Sequence, residues 1–525
     1  MRAPLSNRDL QAELAEHLKW WGLRRFESDE AYFQWQRGTL GRDDLAELSR
    51  LAERKRASDK AADEIAFYDR TAGPRVLPVL YSQRFDYYAT VGLLIAQRIA
   101  ERIERHRSDC GTIPSALSVL DFGCGIGLLT TFYARQFPSL SFVGLDRSSA
   151  SLAVAREKAG ALGLANVRFD CLDLQESALT GTYDIAISTQ ALLQAEFDPG
   201  LPSKAWHAFE RAVDAEAQSR FEERTGLGAR LDRLCAVLAS DGCLILLEKT
   251  RQLARRIPFQ RALAERGLGL LAQPEPIRYR VVEELSDDGP LYVLGRSSRD
   301  AGSAGLATGF NWDETPEPIE EGTIYRCRDA SAESVYKRLP ERVAGRETTW
   351  VEAQAGSVRA EWGRFAGVLA YLYLTVGERF HGILVGGQGK NQELDCRIGR
   401  YLLDPGRNHE GGRLDAVLEE TWPQAASTGE EDLAQAPLYE NHTAYAQAIW
   451  DGLPGRTVLR SLTDATPDGG QRRVELGSIA GPGLVYLYQA TTFDQRQLVL
   501  VEQERSGLLE MYYQELASEG ASAAG

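Results

Sequence analysis

One run of residues combines an acid with three closely spaced glycines. The sequence from Val119 to Gly127 reads Val-Leu-Asp-Phe-Gly-Cys-Gly-Ile-Gly, so Asp121 lies two residues before the first glycine. Glycines at Gly123, Gly125 and Gly127 let the backbone turn sharply and approach a ligand more closely than a Cβ would allow. An acid at this position would repel a pyrophosphate and would suit a cationic ligand that carries an amino group. The run therefore predicts a ligand-binding turn that differs from the pyrophosphate-binding turn of dinucleotide dehydrogenases.

Two further acids follow the next two predicted strands. Asp146 follows the strand predicted over 141–145, and Asp173 follows the strand predicted over 166–169. The carboxyl ends of parallel strands meet at one sheet edge, where doubly wound sheets bind nucleotides. A carboxylate at Asp146 can accept two hydrogen bonds from a ribose diol, and one at Asp173 can accept from an exocyclic amine. The three acids are therefore expected at a single nucleotide-binding edge.

The elements that must position these acids are short apolar runs that alternate with helices. This alternation is typical of a parallel sheet that helices cover on both faces. A tight turn over 286–290 is expected to join the last two strands as an antiparallel hairpin. The predicted strands are 118–122, 141–145, 166–169, 183–188, 242–247, 277–282 and 291–294.

Over residues 80–296 these features resemble the class I S-adenosylmethionine-dependent methyltransferases. The resemblance puts the family's glycine motif at 121–127, its ribose-binding acid at Asp146 and its adenine-binding acid at Asp173. The family's fourth and fifth strands look like 183–190 and 238–248. The resemblance implies an α/β fold with a doubly wound, seven-stranded Rossmann-like sheet. It also implies S-adenosylmethionine as the cofactor, with in-line transfer of its methyl group to an acceptor.

The resemblance further implies which residues hold the methyl donor. In this family a helix before the first strand often closes over the donor, which places Tyr81 or Arg84 near the methionine carboxylate. The expected donor-site residues are Asp121, Gly123, Cys124, Gly125, Gly127, Asp146, Arg147, Leu172, Asp173, Ser188, Tyr81 and Arg84. We expect no metal, because the histidines and cysteines show no metal-ligand spacing.

The segment after the fourth strand departs from part of the family. It reads Ser-Thr-Gln-Ala-Leu-Leu-Gln over 188–194 and lacks the Asn/Asp-Pro-Pro-Tyr/Phe signature of relatives that methylate planar amino groups. The small-molecule branch often has a histidine near Gln194, and this chain has none there. The candidates for a catalytic role are Gln194, Glu196 and His207. The charged residues around His207 favour a solvated helix over a catalytic role for it.

An aromatic patch precedes the first strand. Its members are Phe67, Tyr68, Tyr81, Phe85, Tyr87 and Tyr88. Most clusters of this kind belong to a hydrophobic core. We interpret the patch as core in preference to a ligand-facing surface.

The C-terminal third carries an internal repeat at an offset of 114 residues. Tyr336 corresponds to Trp450, and an Arg-x-Glu-x-Gly run at 359–363 recurs at 473–477. After one inserted residue, Tyr-Leu-Tyr at 371–373 matches 486–488. We predict two copies of one α+β unit that pack as a pseudo-dimer, because each copy would otherwise leave a sheet edge or face unpaired. The alternation of the repeated residues assigns them to strands rather than to ligand contacts.

The chain of 525 residues is too long for one domain. We expect a helical N-terminal cap over 1–115, a donor-binding domain over 116–297 and a linker over 298–322. The two repeat copies then span 323–434 and 435–525.

Charge and cysteine content narrow the partners and the compartment. The chain has 75 acidic and 60 basic residues, which disfavours a nucleic-acid partner. Its seven cysteines include no CxxC pair, as expected for reduced thiols in the cytoplasm. No run approaches the roughly 20 apolar residues of a membrane span.

The leading hypothesis is a methyltransferase that acts on a small-molecule or protein acceptor. Its duplicated module would serve substrate recognition, partner binding or oligomerisation. The alternative is a scaffold that binds S-adenosylmethionine on a methyltransferase fold with little turnover, which donor consumption with any acceptor would exclude. A nucleotide-using oxidoreductase is disfavoured by Asp121.

Overall fold

A computed structural model of the chain divides it into two units. The first comprises Met1–Leu201 and Ala208–Trp312, and the second comprises Pro202–His207 and Asp313–Gly525. The residues that the structure describes are 7–57, 61–110, 117–173, 177–194, 198–203, 214–296, 325–339, 342–352, 356–365, 369–387, 414–415, 418–419, 422, 437, 439–442, 445–453, 455–479 and 484–523. The linker predicted over 298–322 lies outside them.

The first unit begins with helices. They are α1 (Asn7–Trp20), α2 (Asp29–Thr39), α3 (Arg42–Ala57), α4 (Ala61–Thr71), α5 (Val76–Gln83) and α6 (Phe85–Cys110). Residues 72–75 separate α4 from α5, which begins at Val76. Pro78 occupies the first turn of α5, where a missing backbone N–H breaks no helical hydrogen bond.

A mixed, mainly parallel sheet with its covering helices forms the rest of the first unit. Its elements are β1 (Ser118–Phe122), α7 (Leu128–Gln136), β2 (Ser141–Asp146), α8 (Ser149–Ala161), β3 (Val167–Cys171), β4 (Tyr183–Thr189), α9 (Ala215–Thr225), α10 (Leu227–Val237), β5 (Leu238–Leu247), α11 (Leu253–Glu265), β6 (Leu268–Leu270), β7 (Glu275–Val281) and β8 (Glu284–Arg296). The strand order is β3-β2-β1-β4-β5-β8-β6, and β7 pairs with β8. Strands β1 to β5 are parallel, whereas β8 runs antiparallel to β5.

Continuous apolar runs form the central strands because helices cover both sheet faces. In β5 the six residues 242–247 are all buried. One face packs against α1, α6 and α7, and the other packs against α9, α10 and α11. This burial holds the carboxyl ends of β1 to β4 at a fixed edge.

Two details of the sheet differ from the sequence-based expectation. Within the described residues the sheet has eight strands instead of seven, because Leu268–Leu270 adds β6, which is too short to show alternation. The predicted hairpin between β7 and β8 exists, but its turn lies at 282–283, because Val281 pairs with Glu284. The run 286–290 continues β8 through a register shift, which places Asp288 beside β7.

His17 of α1 packs against α7 as an uncharged ring, with the centroids of the His17 and Phe132 rings 5.5 Å apart. The Trp21 indole N–H donates to His17 Nε2 at 3.0 Å, and the Leu128 carbonyl oxygen, 2.9 Å from the same nitrogen, would accept only from the protonated ring. Burial lowers the pKa of His17 to about 4; the Leu128 contact opposes this shift, and the charge of Arg135 adds to it. The packing of the first helix therefore depends on a neutral His17.

We expect the titration of His17 alone to make the free energy of unfolding about 2 kcal/mol lower at about pH 5 than at about pH 7.5. Its pKa is about 4 when folded and 6.5 in the unfolded reference, so the unfolded chain binds the extra proton in this window. The stability that is present above pH 6.5 is therefore lost as the pH falls. His17→Gln keeps an acceptor for Trp21 and should lack this loss. Urea unfolding at both pH values measures the difference, and the same pH dependence in both proteins would count against this role.

The second unit contains two antiparallel sheets with helices. Its elements are β9 (Tyr325–Arg328), α12 (Asp329–Arg338), β10 (Val343–Glu352), β11 (Gly356–Phe365), β12 (Leu369–Val376), β13 (Phe380–Gly387), β14 (Tyr439–Asn441), α13 (Tyr445–Gly452), β15 (Arg456–Ala465), β16 (Gln471–Ile479), β17 (Leu484–Thr491), β18 (Arg496–Glu502) and α14 (Ser506–Ala523). The strand orders are β10-β11-β12-β13-β9 and β15-β16-β17-β18-β14. The two sheets therefore share one topology.

The Arg-x-Glu-x-Gly and Tyr-Leu-Tyr residues make the same contacts in both sheets. In the first, Tyr371 Oη donates to Glu361 at 2.6 Å, and the arginine two residues before the glutamate donates to it at 3.1 Å. In the second, Tyr486 donates to Glu475 at 2.5 Å, and the corresponding arginine donates at 2.7 Å. Gly363 faces Tyr371 across the strands, and a Cβ there would lie 2.5 Å from the Tyr371 oxygen. The glycine is needed so that the tyrosine can reach its carboxylate.

An aromatic stack accompanies each buried glutamate. The rings of Tyr336 and Tyr373 stack with centroids 3.8 Å apart, and the Arg342 guanidinium lies 3.8 Å from the Tyr336 ring centroid. Trp450 and Tyr488 stack in the same way at 4.3 Å. Buried side chains from both sheets meet in one apolar cluster, so the two sheets share a core.

Glu475→Ala should destabilise the second unit by about 3 kcal/mol, because it leaves the buried Tyr486 hydroxyl and the Arg473 guanidinium without their acceptor. Differential scanning calorimetry of the full chain measures the loss. The control is Glu510→Ala, which removes a half-exposed partner of Arg460 and should change stability by less than about 0.5 kcal/mol. Equal effects of the two variants would contradict a stabilising role for the buried carboxylate.

Among the described residues, no helix has the length and apolar character needed to cross a bilayer. In the same part of the chain, no cluster of three or more His, Cys, Asp or Glu side chains could hold a metal ion.

Candidate active site

A cavity of about 410 Å³ lies at the carboxyl ends of β1 to β4. The strand order reverses beside β1, which is the usual place for ligands on doubly wound sheets. The residues expected from the sequence that line it are Tyr81, Arg84, Asp121, Gly123, Cys124, Gly125, Asp146, Arg147, Leu172, Asp173 and Gln194. Gly127 and Ser188 were also expected there but do not line the cavity. Gly127 is the N-cap residue just before α7, and Ser188 donates to the buried Glu248 at 3.4 Å.

The glycine loop between β1 and α7 requires its glycines. The φ angles of Gly123 and Gly127 are both +73°, a conformation that strains any residue with a Cβ. A Cβ on Gly123 would also lie 2.2 Å from Ala191 Cβ, in the segment that follows β4. The backbone N–H groups of Gly123 and Cys124 donate to the Leu145 carbonyl at 2.8 and 3.0 Å. The loop is therefore fixed between β2 and the segment after β4.

Asp121 and Tyr133 form a polar end of the cavity. Thr130 Oγ1 donates to Asp121 at 2.5 Å. Burial raises the pKa of Asp121 to about 6; the Thr130 hydrogen bond opposes the shift, and Asp146 adds to it. The buried Tyr133 hydroxyl also belongs to a cavity-lining side chain and has no hydrogen-bond partner among the described residues. Because a buried, unpartnered hydroxyl is costly, this end suits a ligand with polar groups.

Asp146 connects the glycine loop to the end of β2. Its Oδ2 accepts from the Gly125 N–H at 2.9 Å, and its Oδ1 accepts from the Ser148 N–H at 2.8 Å. Burial raises the pKa of Asp146, while these two backbone donors lower it. Each carboxylate oxygen can accept a further hydrogen bond, so Asp146 can bind a diol while it holds the loop.

An ion pair from α4 closes the cavity beside Asp173. Glu64 of α4 pairs with Arg147, whose guanidinium lies 4.0 Å from Asp173 Oδ2. Gln194 donates to Glu64 at 3.2 Å, so this candidate catalytic side chain is held by the cap. Sequence reasoning missed Glu64, because it lies on a solvated-looking helix far from the strand motifs in sequence.

Most of the aromatic patch lines the cavity, so its interpretation as core was wrong for Phe67, Tyr68, Tyr81 and Tyr88. Phe67, Tyr68, Tyr81, Tyr87 and Tyr88 form part of the wall. The rings of Tyr81 and Tyr88 are stacked with centroids 5.6 Å apart. Phe85 and Tyr87 pack in the core as expected, and Tyr87 also lines the cavity. The patch gives the cavity an aromatic wall.

A polar network that includes side chains of β7 and β8 also reaches the cavity. Arg84 donates to Gln190 at 3.1 Å and to the Tyr279 hydroxyl at 3.2 Å. Asp288 accepts from Tyr279 at 2.5 Å and from the Gln190 amide. Gln190 has φ of +54°, an unusual value for a residue other than glycine, directly after β4. The network fixes Arg84 and Gln190 at one edge of the cavity.

Comparisons with known proteins agree with this geometry. Residues 119–215 match the family model described as a methyltransferase domain. This chain contains a class I S-adenosylmethionine-dependent methyltransferase domain. Its match to the trans-aconitate 2-methyltransferase of Deinococcus radiodurans is 42% identical over 88 residues, or 17% of this chain and 32% of that protein. Its match to the malonyl-[acyl-carrier protein] O-methyltransferase of Acetivibrio thermocellus is 29% identical over 107 residues, or 20% and 35%.

The chain spans about a third of the length of these curated relatives. The solved structure of the magnesium protoporphyrin IX methyltransferase from Synechocystis PCC 6803 is 21% identical with a TM-score of 0.26, covering 39% of this chain and 81% of that one.

The cavity of the methyltransferase domain fits S-adenosylmethionine, the cofactor of this domain class. Its acids offer acceptors for amino and hydroxyl groups, and the Tyr133 hydroxyl has no partner within the described protein. A Cβ on Gly125 would point to within 4.0 Å of the Tyr81 oxygen, so the glycine leaves room inside the cradle. Burial raises the pKa of the Cys124 thiol, with Asp121 and Asp146 adding, so this cavity-lining cysteine stays protonated at neutral pH.

Two candidate catalytic residues cannot be placed. Glu196 and His207 both lie outside the residues that the structure describes. Their catalytic roles stay predictions.

Proposed function

We propose that this protein is a methyltransferase whose donor site is the cavity at the carboxyl ends of β1 to β4. The observation that carries the proposal is the group of three acids, Asp121, Asp146 and Asp173, around one glycine loop. Beside them lies the Tyr133 hydroxyl, which has no hydrogen-bond partner in the described part of the chain. Calorimetric titration with S-adenosylhomocysteine, the demethylated product, tests it. One site per chain is expected, and a folded protein that binds no donor would contradict the proposal.

Six donor-site residues have a defined task in this proposal. Asp146 accepts from the ribose hydroxyls, and Asp173 with Leu172 holds the adenine. Asp121 accepts from the amino group of the methionine part, and Tyr81 or Arg84 binds its carboxylate. When bound, the cofactor supplies a methyl group made electrophilic by a sulfonium. The protein aligns donor and acceptor, and the aromatic wall excludes water, so proximity supplies much of the rate.

We propose that the acceptor carries a carboxylate. Apart from Arg147, and from Arg84, which this proposal offers to the donor, the cavity's cations come from elements other than β1 to β3. They are Lys55 from α3, Arg230 from α10 and Lys249 from the position just after β5. A cationic surface attracts an anion, and a carboxylate is already ionised at neutral pH and needs no base. The named acceptors of the two relatives, trans-aconitate and a malonyl group, both carry carboxylates.

Methyl-labelled donor with trans-aconitate or a malonyl thioester tests the acceptor class. Methyl esters release methanol in base, whereas N-methyl and C-methyl products do not. The matched controls are the same compounds with their carboxylates converted to amides. We expect base-labile product from the acids only, and Lys249→Met should lower its rate at least tenfold. Base-stable product from the amides, with none from the acids, would contradict a carboxylate acceptor.

We also propose that 323–434 and 435–525 are two copies of one unit. Support comes from the shared strand order and from the matched glutamate–tyrosine contacts. The irregularities in the edge strands also correspond, since the register shifts at Ala344/Arg346 in β10 and at Val458/Arg460 in β15. Recognition of a partner or self-association is the role we propose for the pair.

A further inference from the structure

A single buried carboxylate holds the segment that follows β4. Glu248 comes directly after β5 and has no exposed surface. Its Oε1 accepts from the N–H groups of Ala191 at 3.1 Å and Leu192 at 3.0 Å, and its Oε2 accepts from that of Leu193 at 3.2 Å. Three successive backbone donors therefore converge on one side chain.

The same segment is held from its other side. The buried Arg230 of α10 donates to the Leu192 carbonyl at 3.0 Å. The Gln194 N–H donates to the Thr225 carbonyl at 3.1 Å, and the Gln190 N–H donates to the last residue of β5 at 2.7 Å. Residues 190–194 are consequently tied at both ends and in the middle, although they form neither helix nor strand.

This segment forms a wall of the cavity. Gln190, Ala191, Leu193 and Gln194 all line it. Ala191 packs so closely on the glycine loop that a Cβ on Gly123 would overlap it at 2.2 Å. Any shift of the segment would therefore move the glycine loop and the side chains of Gln190 and Gln194 together.

Stability alone does not account for a carboxylate at this position. Burying a charge is costly, and an apolar side chain would fill the same space without that cost. What an apolar residue cannot do is accept from three amides that point inward and would otherwise be unsatisfied. The carboxylate is therefore matched to the conformation of the segment.

We propose that Glu248 is a positioning residue, which fixes residues 190–194 against the glycine loop and so sets the shape of the donor cavity. The identity of the ligand in this inference rests on the proposed function. The hold on the segment does not.

The test compares Glu248→Gln with a buried control, Gln260→Leu. The glutamine variant keeps the volume of Glu248, but its amide N–H₂ would face backbone donors. Gln260 is also buried and donates to the Tyr292 hydroxyl at 3.2 Å, but it does not line the cavity. We expect Glu248→Gln to weaken S-adenosylhomocysteine binding about tenfold and to speed hydrogen exchange at the amides of 191–193 at least tenfold. The control should keep both values within twofold of wild type.

The two readouts separate this inference from the proposed function. Donor affinity within twofold of wild type in Glu248→Gln, or an exchange increase no larger at 191–193 than in the control, would overturn the positioning role. If the wild type itself binds no S-adenosylhomocysteine, the proposed function fails, and the exchange rates alone decide whether Glu248 holds the segment.

Discussion

Asp146→Ala should weaken the binding of S-adenosylhomocysteine by about 100-fold, or roughly 3 kcal/mol. A carboxylate that accepts from two ribose hydroxyls makes two charge-assisted hydrogen bonds, and alanine makes neither. The variant also removes the acceptor for the Gly125 N–H, so the glycine loop loses its link to β2. Isothermal titration calorimetry measures the affinity directly.

The matched control is Asp232→Asn, which alters a surface acid paired with Arg266 at 2.6 Å. This acid does not line the cavity, so the control should bind the ligand as the wild type does. An Asp146→Ala protein that stays within threefold of wild-type affinity would show that the ribose is held elsewhere.

Gly123→Ala should abolish measurable donor binding and destabilise the first unit by about 3 kcal/mol. The added Cβ has two costs: the strain of φ at +73°, which is about 1 kcal/mol, and the overlap with Ala191 Cβ at 2.2 Å. The overlap can be relieved only by moving the glycine loop or the segment after β4, and both border the cavity. Urea unfolding and titration with S-adenosylhomocysteine measure the two effects.

Two further variants separate strain from overlap. Gly163 has φ of +66°, and an added Cβ would meet no other described residue within 4 Å, so Gly163→Ala should show the strain alone, about 1 kcal/mol. Combining Gly123→Ala with Ala191→Gly removes the overlap and should recover most of the lost stability. If Gly123→Ala costs no more than Gly163→Ala, the contact with Ala191 does not constrain the loop.

The sequence was sufficient to place the central strands and the acids that follow them. Parallel strands buried on both faces appear as continuous apolar runs, so β1, β2 and β4 were evident without the structure. Because the carboxyl ends of such strands share an edge, Asp121, Asp146 and Asp173 could be brought together by topology alone. Their placement around one cavity required no knowledge of side-chain contacts.

The rest of the cavity depends on contacts between residues far apart in the sequence. Glu64 and Arg147 are 83 positions apart in the numbering, and no local pattern links them. Asp288 lies in a run of turn-forming residues, yet that run continues a strand because the chain reverses earlier, after Val281. Aromatic residues that line a cavity have the same spacing as those in a core, which explains why Tyr81 and Tyr88 were misinterpreted.

The central claim is that the cavity at the ends of β1 to β4 holds the methyl donor. The most direct measurement is a calorimetric titration of the full chain with S-adenosylhomocysteine, repeated with Asp146→Ala and Gly123→Ala. We predict one site per chain in the wild type, about 100-fold weaker binding in the first variant and none in the second. A folded wild-type protein that binds no ligand, or variants that bind as tightly as the wild type, would contradict the claim.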